Sequence, residues 1–205
     1  MNFQLFSAFL VITLILMLTP GPIVTLVIST GATRGTRAGL MTVAGSTVGN
    51  ALLIGGIALG LNVVIKYTAE IFELLRWVGA AYLIWLGIQA WRHAGDRAAQ
   101  VTVPGHGVYF RRGFFVALSN PKTIAFFTAF LPQFVDPALP AGYQLFVMCA
   151  VSVLLAAVTD SIWAMTAAAG RNFFLRRANA KWLGRISGLA LIGGGIWLSL
   201  ARRPG

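Results

Sequence analysis

Lys122 and Asp160 are ionisable groups inside otherwise apolar runs, Asn50 is an amide inside a third run, and Thr19-Pro20-Gly21-Pro22 interrupts a fourth. Counted from the basic residue that ends each run, Pro22 lies 12 residues from Arg34, Asn50 13 from Arg37, Lys122 10 from Arg112 and Asp160 11 from Arg171. At about 1.5 Å of helix rise per residue these are depths of roughly 15–20 Å, the middle of a hydrocarbon layer about 30 Å thick. A charge at that depth costs about 2.5–3.5 kcal/mol on the mildest scale, so Lys122 and Asp160 are expected to face inward and meet. Two uses fit such a pair. It is a structural ion pair tying two helices together, or Asp160 is a proton carrier and Lys122 its partner or the anchor of an anionic substrate group.

The prolines add backbone chemistry. Pro20 and Pro22 lack an N–H, so the carbonyls of Leu16 and Leu18 lose their helical partners, and Pro121 in Ser119-Asn120-Pro121-Lys122 does the same to Ala117. Lipid offers no replacement donor, so such carbonyls must face protein, a hydroxyl such as that of Thr19, or a polar cavity. A lone proline reads as a kink. Pro-Gly-Pro after threonine reads as the junction of two half-helices lining a pathway, where freed carbonyls accept a cation and a half-helix N-terminus faces an anion. Thr19, Pro20, Gly21, Pro22, Asn50, Asn120, Pro121, Lys122 and Asp160 therefore form the candidate substrate pathway, with Asp160 the candidate proton-coupling group. The carbonyls of Leu16, Leu18 and Ala117 are candidates for a substrate ammonium, with Lys122 or a half-helix N-terminus for its carboxylate.

The elements that must position these groups follow from composition. With 58% hydrophobic and 10% charged residues and a mean hydropathy of +0.80, the chain is too poor in charge for a soluble domain. Its 16 Lys and Arg against 5 Asp and Glu sit in short clusters between apolar runs, the pattern of membrane loop anchors rather than of nucleic-acid binding. Six runs near residues 3–30, 39–64, 71–91, 113–134, 144–169 and 183–201 are long enough to cross a bilayer. The first has no basic leader and no small-residue cleavage signal, so it is expected to be retained. Cys149 has no partner for a disulfide or a cysteine metal site. His93 and His106 fall in the long third connection, residues 92–112, where a solvated role is expected, and the expectation is no metal and no cofactor. Gly45-x-x-x-Gly49, Gly56-x-x-x-Gly60 and Gly184-x-x-x-Gly188 allow close helix contact, expected inside the protomer rather than between copies, with a homo-oligomer left open.

The connections after the first, third and fifth runs hold eleven Lys and Arg, and the other side holds four, so both termini are expected outside the cytoplasm. Arg76, Gly79 and Ala81 in the third run recur at the same spacing as Arg185, Gly188 and Ala190 in the sixth, and the breaks recur in the first and fourth. Three helices per half make the second copy enter from the opposite side. The expected fold is thus an all-α integral membrane protein, one transporter domain over residues 1–205. It has six transmembrane helices in an inverted 3+3 repeat, with broken first and fourth helices; the repeats cover about 1–91 and 113–205.

Thr19-Pro20-Gly21-Pro22, Arg34-Gly35-Thr36-Arg37-Ala38-Gly39-Leu40, Gly79-Ala80-Ala81-Tyr82-Leu83-Ile84-Trp85-Leu86-Gly87, Asn120-Pro121-Lys122 and Phe130-Leu131-Pro132-Gln133-Phe134-Val135, in that order along nearly the whole chain, resemble the LysE/RhtB family of amino-acid exporters. The resemblance implies a bacterial cytoplasmic-membrane exporter of amino acids or their derivatives, powered by the proton gradient, with membrane lipids and a small-molecule substrate as partners. Ile23 stands where the family commonly has Asn, and Asn50 where an acid is frequent, which leaves Asp160 as the one midplane acid. A membrane-embedded enzyme or lipid carrier would need a nucleophile or metal cluster that the runs do not offer. A non-transporting scaffold would be indifferent to neutralising Asp160.

Overall fold

The computed structural model describes residues 2–64, 69–92, 108–174 and 177–200. Lys66, most of the long third connection with His93, Arg97, Pro104 and His106, and the basic tail Arg202 and Arg203 lie outside them. Every described element is helical: α1 Phe3–Leu18, α2 Pro22–Arg34, α3 Thr36–Val64, α4 Ala69–Arg92, α5 Tyr109–Leu118, α6 Pro121–Phe130 with a 3-10 turn Leu131–Phe134, α7 Ala141–Ala169, the short α8 Arg171–Phe174, and α9 Arg177–Leu200.

Proline sets the boundaries. The ring of a proline drives the preceding residue out of the helical region, and Thr19 (ψ 119°), Gly21 (ψ −166°) and Asn120 (ψ 108°) are all extended. Pro22 and Pro121 then sit at first helical positions, where the missing N–H costs nothing. The result is two bent pairs, α1 with α2 at 48° and α5 with α6 at 41°. Gly35, at φ 84°, ends α2 and turns the chain directly into α3, a conformation that only glycine adopts freely. Helices α3 and α7 and the two bent pairs are long and apolar enough to cross a membrane. Helix α4 opens with Glu70, Glu73 and Arg76, and the apolar part of α9 is the 17-residue Gly184–Leu200.

Large apolar side chains such as Val11, Leu52, Leu59, Trp77, Phe146 and Leu154 point outward, while Thr13, Ser46, Asn50, Lys122, Gln144 and Asp160 are buried. This inside-out polarity is what a helical protein in hydrocarbon requires, because each intramembrane polar group has to find a protein partner. Helix α3 packs on α5 and α7, α2 on α3 and α7, and α4 on α9 and α6. Glycines let the backbones touch: a Cβ on Gly45 would stand 1.9 Å from Phe110 O, one on Gly113 2.1 Å from Thr42 O, and one on Gly31 2.5 Å from Ala164 O. Gly188 likewise meets Gly87 across α9 and α4, so these glycines serve packing within the protomer, whereas Gly56 and Gly60 face open space. Phe9, Phe126, Phe130 and Phe134 belong to the larger apolar core, with Phe130 and Phe134 stacked on Trp197.

Candidate functional site

The two breaks lie against each other but are completed in different ways. At the second, Asn120 caps α6 by accepting the Lys122 N–H (3.2 Å) and donates its side-chain amide to Thr123 Oγ1 (2.8 Å). The Asn120 N–H closes onto Ala117 O at 3.1 Å. The carbonyl that Pro121 was expected to leave open is thereby covered by the residue before it, and Ala117 O is not a free acceptor.

At the first break, Thr19 donates its hydroxyl to Ile15 O (2.6 Å) and its N–H to Ile15 O and Leu16 O (3.1 and 3.2 Å), and α2 starts with no side-chain cap. The completing group comes from the other half of the chain. Lys122, in the first turn of α6 and 6% exposed, donates Nζ to Leu16 O at 2.6 Å and to Thr19 O at 2.5 Å. Its stem crosses the break where Gly21 has no side chain; a Cβ there would stand 3.0 Å from Lys122 Cδ.

Asp160 on α7 is buried, as is Ser46 on α3, whose hydroxyl donates to Val43 O at 3.0 Å. The expected meeting of Lys122 and Asp160 takes a different form. They line one cavity, but among the described residues the ammonium's hydrogen bonds go to backbone carbonyls rather than to the carboxylate. The physical reason is the break itself: two carbonyls without helical partners, converging on one point, satisfy more of an ammonium's three donors than one carboxylate across a gap.

The cavity is lined by Leu16, Met17, Gly21, Ile23 and Val24 from the first break, Asn50 from α3, Asn120, Lys122 and Thr123 from the second break, and Ala156 and Asp160 from α7. About 30 Å³ of it is free. Asn50 Oδ1 is buried with no donor. A second cavity, about 50 Å³, lies on the other side of the first break between α1, α4, α6 and α9, and Leu16 and Thr19 share its lining with Ile12, Leu83, Phe126, Phe130 and Leu191. The first break is thus the partition between a polar chamber and an apolar one.

Of the residues singled out from sequence, Gly21, Asn50, Asn120, Lys122 and Asp160 line the polar cavity, Thr19 supplies its carbonyl from the partition, and Pro20, Pro22 and Pro121 shape the backbone around it. Sequence reasoning missed Ser46, Thr123, Met17, Val24 and Ala156. Ser46 had a signal, since Thr42, Ser46 and Asn50 recur every four residues on one buried face of α3.

An apolar shell around a buried, acceptor-rich cavity at two broken helices is the construction of a membrane transport protein. Comparison with known proteins agrees: residues 14–202 match the model of the LysE type translocators. The chain belongs to that family, as its motifs implied, and is a transporter rather than an enzyme. It is 35% identical over 157 residues to the homoserine/homoserine lactone efflux protein of Salmonella typhimurium, covering 76% of each chain. It is 33% identical over 144 residues to the leucine efflux protein of Salmonella choleraesuis, covering 68% of each, and 32% identical over 206 residues to an uncharacterized membrane protein of Vibrio cholerae, covering 98% of this chain and 100% of that one. No solved structure matches the chain.

Proposed function

We propose that this protein is a secondary exporter of amino acids or amino-acid derivatives, driven by proton antiport across a bacterial cytoplasmic membrane. The observation that carries the reading is the convergence of two broken helices, Asn50, Lys122 and Asp160 on one buried cavity. The substrates named for the relatives support the chemical class. Leucine, homoserine and homoserine lactone share an ammonium group, and the lactone has no carboxylate. The three acceptors Leu16 O, Thr19 O and Asn50 Oδ1 around the chamber suit that shared group, and the uncapped start of α2 suits a carboxylate where there is one.

The architecture proposed with it is one domain over residues 1–205, six spans in an inverted 3+3 repeat, with both termini outside the cytoplasm. Support comes from the pairing of α3 with α7 and of α4 with α9, each helix meeting its counterpart in the other half, and from the breaks in both leading helices. Asp160, the buried acid of the chamber, carries the proton and Lys122 shares its cavity.

The decisive experiment is efflux of leucine, homoserine and a wider amino-acid panel from preloaded vesicles, with and without an imposed proton gradient. Gradient-dependent efflux that Asp160→Asn abolishes in a folded protein is expected. Wild-type coupled efflux in that variant removes Asp160 from the mechanism, and no efflux of any amino compound removes the exporter reading. A reporter active only outside the cytoplasm should respond at residue 205 and stay silent near Pro104; the reverse refutes the orientation.

A further inference from the structure

We infer that Lys122 is the resident occupant of the substrate's ammonium site, so that a substrate binds by displacing this side chain rather than by being held by it. The inference rests on the amino-compound exporter reading above and names how its site is filled. The Lys122 terminus is a primary ammonium on a flexible carbon stem, the same chemical group that an amino-acid substrate presents, and it already makes two short hydrogen bonds to the carbonyls opened by the first break. The remaining free space, about 30 Å³, admits a water or two but no amino acid, since one water needs about 10–15 Å³ on this measure. The occupant therefore has to move before a substrate fits.

Two further observations say what replaces it and where it goes. Asn50, 3% exposed, lines the cavity with its Oδ1 unpartnered, so the resident cation leaves one buried acceptor unused. An incoming ammonium has three donors, enough for Leu16 O, Thr19 O and Asn50 Oδ1 together. The displaced Lys122 has a destination in the same cavity, the Asp160 carboxylate, which lines it. Its path crosses Gly21, where no side chain stands in the way. The exchange keeps one cation on the carbonyls at all times and turns substrate arrival into a Lys122–Asp160 ion pair.

The sign of one measurement separates this from the obvious alternative. In detergent-purified full-length protein, dissociation constants for n-propylammonium, leucine and homoserine are measured for wild type, Lys122→Ala and Lys122→Met, with N-acetylleucine, which lacks the ammonium, as control. A site freed of its tethered competitor binds more tightly by the inverse of the fraction of time it stood open. A gain of about tenfold or more is therefore expected for the three ammonium ligands and none for the control. Gly21→Ala, which crowds the Lys122 stem, should give a smaller gain in the same direction. Weaker binding in the lysine variants would mean that Lys122 grips the carboxylate, and unchanged binding that it is a bystander; either overturns the inference. If the single variants do not fold because Asp160 is stranded, Lys122→Met/Asp160→Asn decides, with the same gain expected and its absence fatal. Wild-type export of leucine or homoserine without a gain in the variants sinks this inference alone. A wild type that binds and exports no amino compound sinks the exporter reading with it.

Discussion

The two breaks are built from the same sequence device, an extended residue forced by the proline after it, yet they reach opposite states. The second is self-sufficient: Asn120 caps the helix it precedes, holds Thr123 and covers Ala117 O. The first is incomplete within its own half, with an uncapped α2 and carbonyls that depend on Lys122 from the far side of the molecule. The difference lies in one residue before each final proline. Asparagine at 120 brings its own hydrogen bonds, whereas glycine at 21 brings none and leaves a gap. A break that satisfies itself is scaffold, and a break that borrows a cation can exchange it.

The sharpest way to break this comparison is to remove the prolines. In Pro20→Ala/Pro22→Ala, Leu16 O can return to an ordinary helical bond, because a continuous helix through this stretch no longer carries the roughly 3 kcal/mol that an interior proline would cost it. Export is expected to fall more than about tenfold while the melting temperature in detergent rises, whereas Pro121→Ala, with Asn120 still capping, should keep export within about twofold. A double variant that is less stable yet exports normally would erase the functional distinction between the breaks.

Next in size is Gly45→Ala. Its Cβ has rigid backbone 1.9 Å away, so α3 and α5 must part at a cost of about 1–3 kcal/mol, read as a lower melting temperature. Gly56→Ala, on the same helix but in open space, should stabilise by up to about 1 kcal/mol. Asn120→Ala comes third. Loss of its cap is worth about 1 kcal/mol, or roughly 2–4 °C in a chain of this length, and Asn120→Asp should recover most of it. Smallest is Thr19→Val. It removes only the hydroxyl bond to Ile15 O, because the Lys122 contact is to the Thr19 backbone; a loss of about 1 kcal/mol or less with export retained is expected. A transport defect as deep as that of the proline pair would mean that the hydroxyl, not the carbonyl, faces the ligand.

Much of the site was legible before any coordinates because membrane burial makes polar residues rare. Counting from the basic flanks put Pro22, Asn50, Lys122 and Asp160 at one depth, and the structure brings Asn50, Lys122 and Asp160 to one cavity that Gly21 and Ile23, the two neighbours of Pro22, also line. Helix breaks were legible for the same reason, since a proline's missing N–H is a local fact. What sequence did not reveal is which acceptor a long side chain selects. Lys122 reaches carbonyls from a helix over a hundred residues away in preference to the acid expected for it, and that choice depends on the 48° bend and on the gap at Gly21. Ser46 escaped notice because serines in helices commonly bond their own preceding turn, as this one does at Val43 O.

The borrowed cation has a consequence for how the chain is made. Lys122 is 106 residues downstream of Leu16 and 103 downstream of Thr19. At synthesis rates of about 5–20 residues per second, the first helix waits roughly 5–20 s for its partner to exist. During that interval the Thr19 N–H, already 3.2 Å from Leu16 O, shields one of the two carbonyls by purely local means. Thr19 O is the group left to insertion machinery or water. The last step in maturing α1 is thus the arrival of α6, through a hydrogen bond that closes only when more than half of the chain has been translated.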